Sequence, residues 1–183
     1  MKSTILHLQT GGTITWNVPE YKELEDIAHI FLDYVDIGKY VTYSMKAYCE
    51  YKFKKICDKD SRDITNVDRQ RLVDEITKWY REGINLFMIT HWTYTMPDTG
   101  VYLEENLQEE ILENISVVIT WAMYPWWVLW TDAPMNVWAS ISSLINADKP
   151  LWVKISMHGK HWSPDKVEKD STKLLFHATL KSK

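Results

Sequence analysis

Hydroxyl-bearing residues stand directly after several apolar runs of this sequence, where they could act on a bound molecule. The first run ends in a turn that contains Gly11 and Gly12. Because glycine lets a backbone approach a ligand closely, we expect the threonines of this turn to face a pocket. The alternative is that they cap strand and helix ends, as threonines commonly do. The threonines that follow the runs are Thr10 and Thr13, Thr90 and Thr93, and Thr120.

A second polar cluster, residues 58–63, precedes a helical pattern and contains Asp60, Ser61 and Arg62. Thr65 and Asp68 then form a start of the type that caps a helix. Like the threonines, these groups could line a shared pocket or serve only as caps.

The elements that must position these residues alternate between strand and helix. Strands are predicted at residues 3–8, 40–45, 85–90, 116–120 and 151–157, and helices at 23–34, 67–81, 98–112 and 132–146. The runs at 86–89 and 117–119 are continuously apolar, which is typical of strands buried on both faces of a parallel sheet. We therefore predict an α/β fold with a parallel sheet and helices on both faces, a three-layer Rossmann/flavodoxin-like arrangement. Ligands of such sheets bind at the carboxyl ends of the strands.

Composition narrows the class of protein. The chain has 183 residues, 45% of them hydrophobic and 25% charged, with a net charge of −4. These values predict one globular domain over residues 1–183. No basic stripe with interleaved aromatic residues is present, so a nucleic-acid partner is not expected. No apolar run reaches ~18 residues, so a membrane span is not expected either.

Metal or cofactor binding is not predicted. Cys49 and Cys57, the only cysteines, lack zinc-site spacing and are interpreted as reduced thiols of a cytoplasmic protein. His158 and His161 have no third ligand at a useful spacing. No cofactor motif is found.

Four segments together resemble the motifs of the bacterial-type L-asparaginases, in the same order along the chain. The first runs from Thr10 to Ile14 and the second from Asp60 to Asp63. The third runs from Thr90 to Met96 and the fourth from Val118 to Met123. The resemblance covers the larger amino-terminal domain of that family and implies hydrolysis of the asparagine side-chain amide. It also implies a small amino acid as partner and a homo-oligomer.

The resemblance also implies roles for single residues. It makes Thr13 the nucleophile and Tyr21 its activator, and it makes Thr93 the second catalytic threonine. A threonine needs a nearby base to attack an amide, and Lys166 is the predicted lysine of that set. The substrate-binding positions implied are Gly12, Asp60, Ser61, Arg62, Tyr94 and Ala122. His91 is interpreted as a structural hydrogen-bonding residue rather than a base.

The sequence departs from the family where the chemistry should occur. Tyr94 replaces an aspartate that, by the resemblance, receives the substrate's α-amino group. A phenol carries no negative charge near neutral pH, and losing a charged partner costs roughly 2–5 kcal/mol in comparable recognition. Trp92, Trp121 and Trp16 replace glycines of the family, and indoles there would fill the pocket or widen it.

Two functions follow from these observations. The first is an asparaginase-like amidohydrolase whose activity is weak or lost. The alternative is an engineered or diverged non-catalytic scaffold, in which the Trp/Tyr-rich former active site serves ligand binding or self-association.

Overall fold

A six-stranded sheet with the strand order β2-β1-β3-β4-β5-β6 forms the centre of the computed structural model, which describes residues 3–11, 49–124 and 130–179. Strands β1 to β5 run parallel, and β6 is antiparallel to β5. The strands are β1 (Thr4–Gln9), β2 (Glu50–Lys55), β3 (Leu86–Thr90), β4 (Ser116–Thr120), β5 (Trp152–Met157) and β6 (Lys160–Trp162). The predicted α/β class with a mainly parallel sheet is confirmed.

Helices connect these strands within the described ranges. They are α1 (Asn66–Arg81), α2 (Met96–Asn106), α3 (Glu109–Leu112) and α4 (Ala133–Asn146). The single helix predicted at 98–112 is instead divided, because Leu107 adopts extended backbone with φ −79° and ψ 143°. The predicted cap of α1 is present: Thr65 donates to the Asp68 carboxylate through both its backbone N–H and its hydroxyl, at 3.0 and 2.8 Å.

The chain after β6 forms a short 3-10 helix, Pro164–Lys166, and a two-stranded antiparallel hairpin. Its strands are β7 (Val167–Asp170) and β8 (Leu175–Ala178). The sequence predicted none of β6, β7 and β8, which are only three or four residues long. They matter because β7 brings a lysine to the edge of the main sheet.

Strand β2 was also not predicted. Its sequence, Glu-Tyr-Lys-Phe-Lys-Lys, is mostly exposed, as expected for a charged strand at the edge of a sheet. The strand and helix predicted at 40–45 and 23–34 lie outside the described residues. Buried apolar residues of β1, β3, β4 and β5 form the core, and Leu72, Val73 and Ile76 of α1 pack against it.

Strand β1 lies between β2 and β3, so the order of connection reverses beside it. In open α/β sheets such a reversal leaves a crevice at the carboxyl ends of the two strands, where ligands bind. In this chain, Thr10 follows β1 and the segment from His91 to Thr95 follows β3.

Candidate functional site

The first threonines of the two predicted motifs meet at this crevice. Thr10 donates both its backbone N–H and its hydroxyl to the carbonyl oxygen of Thr90, each at 3.1 Å. The Thr90 hydroxyl lies 2.8 Å from Nε2 of His7 inside the sheet. At the neighbouring strand end, the Thr120 hydroxyl donates to the Ser156 carbonyl at 2.8 Å. The hydrogen bonds of these three hydroxyls therefore stabilise the contacts between neighbouring strands.

Gly11 lets the turn after β1 approach the loop after β2. Its φ is +117°, a conformation that disfavours side chains, and a Cβ there would lie 2.5 Å from the carbonyl oxygen of Lys59 and still closer to its amide nitrogen. The Lys59 N–H donates to the Thr10 carbonyl at 3.3 Å. The glycine therefore fixes the loop that leads to Ser61 against the crevice.

Lys59 and Asp68 hold this loop to the start of α1. The Lys59 ammonium donates to both oxygens of the Asp68 carboxylate, at 2.9 and 2.7 Å. Burial raises the pKa of Asp68, but the hydrogen bonds from Lys59 and Thr65 outweigh it and hold the pKa at about 2. Asp68 is therefore ionised, and its carboxylate stabilises the fold.

Asp60, Ser61 and Arg62 form the start of a 3-10 helix, Ser61–Asp63, and Arg62 gives this corner of the chain a positive charge. The Arg62 guanidinium donates to the Asp60 carboxylate at 2.9 and 3.1 Å, and the Arg62 N–H adds a third bond at 2.9 Å. The hydrogen-bonded Arg62 side chain lowers the pKa of Asp60 despite some desolvation. Both oxygens of the Asp60 carboxylate are therefore hydrogen-bonded to Arg62.

Ser61 has a different environment. It is fully buried, and its hydroxyl has no hydrogen-bond partner within the described residues. Its carbonyl accepts a hydrogen bond from the Thr95 hydroxyl at 2.6 Å, which ties this corner to the turn after β3. A buried hydroxyl without a partner is costly, by about 1–3 kcal/mol, unless a ligand satisfies it.

Thr93 is paired with a lysine, but not with the lysine that the sequence predicted. The ammonium of Lys169 on β7 donates to the Thr93 hydroxyl at 2.8 Å. Lys166 is exposed at the end of the preceding 3-10 helix. Lys169, and not Lys166, is therefore the lysine that lies at Thr93. The sequence signal was weak, because only the path of the hairpin decides which lysine returns to Thr93.

A close contact between α2 and the chain before β7 fixes that path. A Cβ on Gly100 would lie 2.6 and 2.7 Å from the Pro164 ring, so the helix and the proline are packed as tightly as glycine permits. Pro164 is buried, and the Lys166 N–H donates to the Ser163 carbonyl at 3.0 Å. This turn directs β7 towards the crevice and Lys169 towards Thr93.

Lys169 has an altered acidity. Burial, and then the charge of Arg62, lower the pKa of its ammonium, while Asp60 opposes that effect. A lowered pKa enlarges the fraction of neutral amine, the form in which a lysine accepts a proton. The Thr93 hydroxyl, in a residue only 5% exposed, is well placed to supply it.

Tyr94 lies on the outer side of this pair and is 48% exposed. The Lys169 nitrogen lies 3.6 Å from the centroid of its ring, and the Arg62 guanidinium carbon lies 5.3 Å from it. Both distances are within the range of cation–π attraction. Where the resemblance places a carboxylate, this chain therefore has an aromatic ring that two cations already contact.

The other predicted positions among the described residues are buried or partly buried. His91 is fully buried, with Nε2 2.8 Å from the Thr99 hydroxyl and Nδ1 2.8 Å from the Trp92 carbonyl oxygen. Burial lowers its pKa to about 4, so the ring is neutral. Trp92 is partly buried against the core, whereas Trp121 and Ala122 are buried in it. The Trp121 side chain therefore packs in the core.

A hydrogen-bonded network closes the ends of β4 and β5. The Asp132 carboxylate accepts the N–H groups of Met123 and Tyr124, at 2.9 and 3.1 Å. The Asn136 amide donates to the Trp121 carbonyl at 2.7 Å, and its oxygen accepts the His158 N–H at 2.8 Å. The sequence analysis did not identify this network, because Asp132 and Asn136 look like ordinary polar residues of a helix start.

Gly12, Thr13 and Tyr21 lie outside the described residues, so their predicted roles stay predictions. Within the part of the chain that is described, no cluster of three or more His, Cys, Asp or Glu side chains could hold a metal ion. No helix there is long and apolar enough to cross a bilayer.

Comparison with known proteins gives two further findings. The family described as "Asparaginase, N-terminal" matches residues 4–178. The crystal structure of a probable cytoplasmic L-asparaginase from Campylobacter jejuni is similar, with 26% identity and a TM-score of 0.72. The alignment covers 97% of this chain and 50% of that protein, so the chain spans about half of its length. No curated protein matches.

Proposed function

This chain belongs to the asparaginase family, and on that premise we propose that it is an asparaginase-type amidohydrolase with slow turnover. The observation that carries the proposal is the 2.8 Å contact between Lys169 Nζ and the Thr93 hydroxyl. The buried hydroxyl of Ser61, which has no partner among the described residues, supports it. A threonine with an adjacent base of lowered pKa is the arrangement that activates a weak nucleophile.

In the proposed reaction the acyl group passes first to a threonine and then to water, or it passes directly to a water. The neutral amine of Lys169 takes a proton from the hydroxyl of a catalytic threonine or of a water held by it, and the freed oxygen attacks the side-chain amide carbon. The carbon–nitrogen bond then breaks, and the leaving ammonia takes up the proton from the lysine. Where the threonine oxygen attacked, water hydrolyses the resulting ester, which releases the carboxylate and restores the hydroxyl.

Both threonines keep a place in the proposal. Thr13 remains the proposed first nucleophile, with Tyr21 as its activator and Gly12 beside it. Thr93, with Lys169 as its base, acts in the second transfer, in which water hydrolyses the ester, or it holds a water that attacks the amide directly. Ser61 is the proposed partner of a ligand carboxylate, and Ala122 the proposed carbonyl acceptor for the amide.

Slow turnover is proposed because of Tyr94. A carboxylate at that position would hold the charge of Lys169, whereas cation–π contact is worth only about 0.5–2 kcal/mol. The lysine and the substrate therefore lose an anionic partner. The same stacking of Lys169 on Tyr94 favours the second candidate, a protein that binds a ligand without turnover.

A homo-oligomer in the cytoplasm also remains part of the proposal. The Campylobacter protein is titled a probable cytoplasmic enzyme.

The test measures ammonia release from L-asparagine by the purified protein and by three variants. Thr93→Ala and Lys169→Met should each lower kcat by about 100-fold or more, the usual contribution of a positioned base. Lys166→Met, the matched substitution three residues earlier, should retain the rate. Equal loss in both lysine variants would contradict the assignment, and ligand binding without ammonia release would favour the second candidate.

A further inference from the structure

The turn at Thr93 and Tyr94 is surrounded by positive charge. Lys169 donates to the Thr93 hydroxyl at 2.8 Å and lies 3.6 Å from the Tyr94 ring centroid. Arg62 contacts the same ring from 5.3 Å. Two cations therefore border the position where a ligand would meet Thr93.

The nearby carboxylate cannot balance a third positive group. Among the described residues, Asp60 is the acidic residue that raises the pKa of Lys169. Its two oxygens already receive three hydrogen bonds from Arg62. An added ammonium would have to displace the Arg62 pairing while standing close to Lys169, and like charges at such distances repel.

Tyr94 does not supply the missing acceptor. An aromatic face attracts an ammonium, but Lys169 and Arg62 already contact this ring. A ligand carboxylate, in contrast, finds two cations and the buried hydroxyl of Ser61, which has no partner within the described residues. The site is suited to an anion and poorly suited to a zwitterion.

We propose that Tyr94 sets the ligand class, so that this site takes a carboxylate-bearing amide without an α-ammonium group, of which succinamate is the simplest, in preference to asparagine. This inference rests on the proposed function for its chemistry. Its selectivity depends only on the charges around Thr93 and Tyr94.

The first experiment compares kcat/KM for succinamate and L-asparagine by ammonia release, using the full chain. Succinamate should be preferred by about 10-fold or more. Tyr94→Asp should lower that preference by at least about 10-fold, because it adds an anion beside the cations. Tyr94→Phe, which keeps the ring and its cation contacts, should retain it. A preference for asparagine, or a ratio that Tyr94→Asp leaves unchanged, would overturn the proposal.

A second measurement separates this inference from the proposed function. If neither amide is hydrolysed, the proposed function fails, and the ligand class is tested by calorimetric titration with succinate and with L-aspartate. Tighter binding of succinate, with Tyr94→Asp reversing the order, supports the inference. Equal binding, tighter aspartate binding or no binding of either compound overturns it. Because Tyr94 is half exposed, both variants should fold, which circular dichroism checks.

Discussion

The hydrogen bonding of polar groups differs between two regions on the same edge of the sheet. One region lies at the ends of β4 and β5, and the other lies at the ends of β1 and β3. At β4 and β5, Asp132 and Asn136 are paired with backbone groups of the loops beside them. At β1 and β3, the Ser61 hydroxyl is buried and unpaired among the described residues, beside an excess of cations. Since buried polar groups are normally hydrogen-bonded, Asp132 and Asn136 need no ligand, whereas the Ser61 hydroxyl gains from one. The Ser156 hydroxyl on β5 is likewise buried without a partner among the described residues, but no cation contact is described beside it.

The largest effect is expected where the site region depends on close backbone approach. Gly11→Ala should lower the free energy of unfolding by about 4 kcal/mol, since it adds a clash with the Lys59 backbone to the strain of a positive φ. Gly83→Ala is the matched control, because Gly83 has φ +88° and no atom lies within 4 Å of the place that a Cβ would take. It should cost about 1 kcal/mol. If urea unfolding gave the two variants equal losses of unfolding free energy, the close approach to Lys59 would not contribute to the cost of Gly11→Ala.

The paired region should be sensitive to its central amide. Asn136→Ala should destabilise the fold by about 3 kcal/mol, because it leaves the Trp121 carbonyl and the His158 N–H without their partner. Asn146→Ala, at the exposed end of the same helix, should cost under about 0.5 kcal/mol. Chemical denaturation measures both, and a small effect at position 136 would remove the contrast between the two regions.

Acid should weaken the side of the sheet around β1 and β3. Burial lowers the pKa of His7 to about 3 and that of His91 to about 4, against 6.5 for the unfolded chain. The unfolded state then binds more protons as the pH falls below 6.5 towards these values, so stability is lost in that window. From about pH 7 to about pH 5.5 the free energy of unfolding should fall by about 2 kcal/mol.

Urea unfolding across that range measures the slope. His91→Asn should make the slope shallower, and His177→Asn, on the hairpin strand β8, controls for the substitution itself. A stability that does not change over this interval would contradict the buried, neutral state of the two rings.

The smallest effect separates two buried serines. Ser140→Ala removes a hydroxyl that donates to the Asn136 carbonyl at 2.7 Å and should cost about 1 kcal/mol. Ser61→Ala removes a hydroxyl that has no partner among the described residues and should leave the stability of the ligand-free protein unchanged or slightly higher. It should nevertheless weaken succinate binding. A loss at Ser61 as large as that at Ser140 would mean that its hydroxyl is already satisfied.

The sequence predicted the buried strands well and the edges poorly. The apolar runs that became β3 and β4 were located to within one residue, because burial on both faces leaves no polar positions. Strand β2 was missed, since an edge strand with four exposed residues of six follows no apolar pattern. The meeting of Thr10 with Thr90 was expected from the sheet, but their hydroxyls proved to serve the fold.

The lysine of the site shows what local pattern cannot decide. Lys166 and Lys169 are three residues apart, and the sequence analysis predicted Lys166. The tight packing of Gly100 on Pro164 turns the chain so that β7, and Lys169 with it, returns to Thr93. That contact joins residues 64 positions apart, beyond the reach of any short motif.

By itself the sequence determined the α/β class, the family and the threonine and serine motifs, because these follow from local hydrophobic pattern and short runs of residues. Only the tertiary structure decided which hydroxyls are used by the fold, which lysine meets Thr93, and that two cations contact the ring of Tyr94. The physical reason is that pairing and charge balance depend on distances between side chains, and folding alone sets those distances for residues remote in the chain.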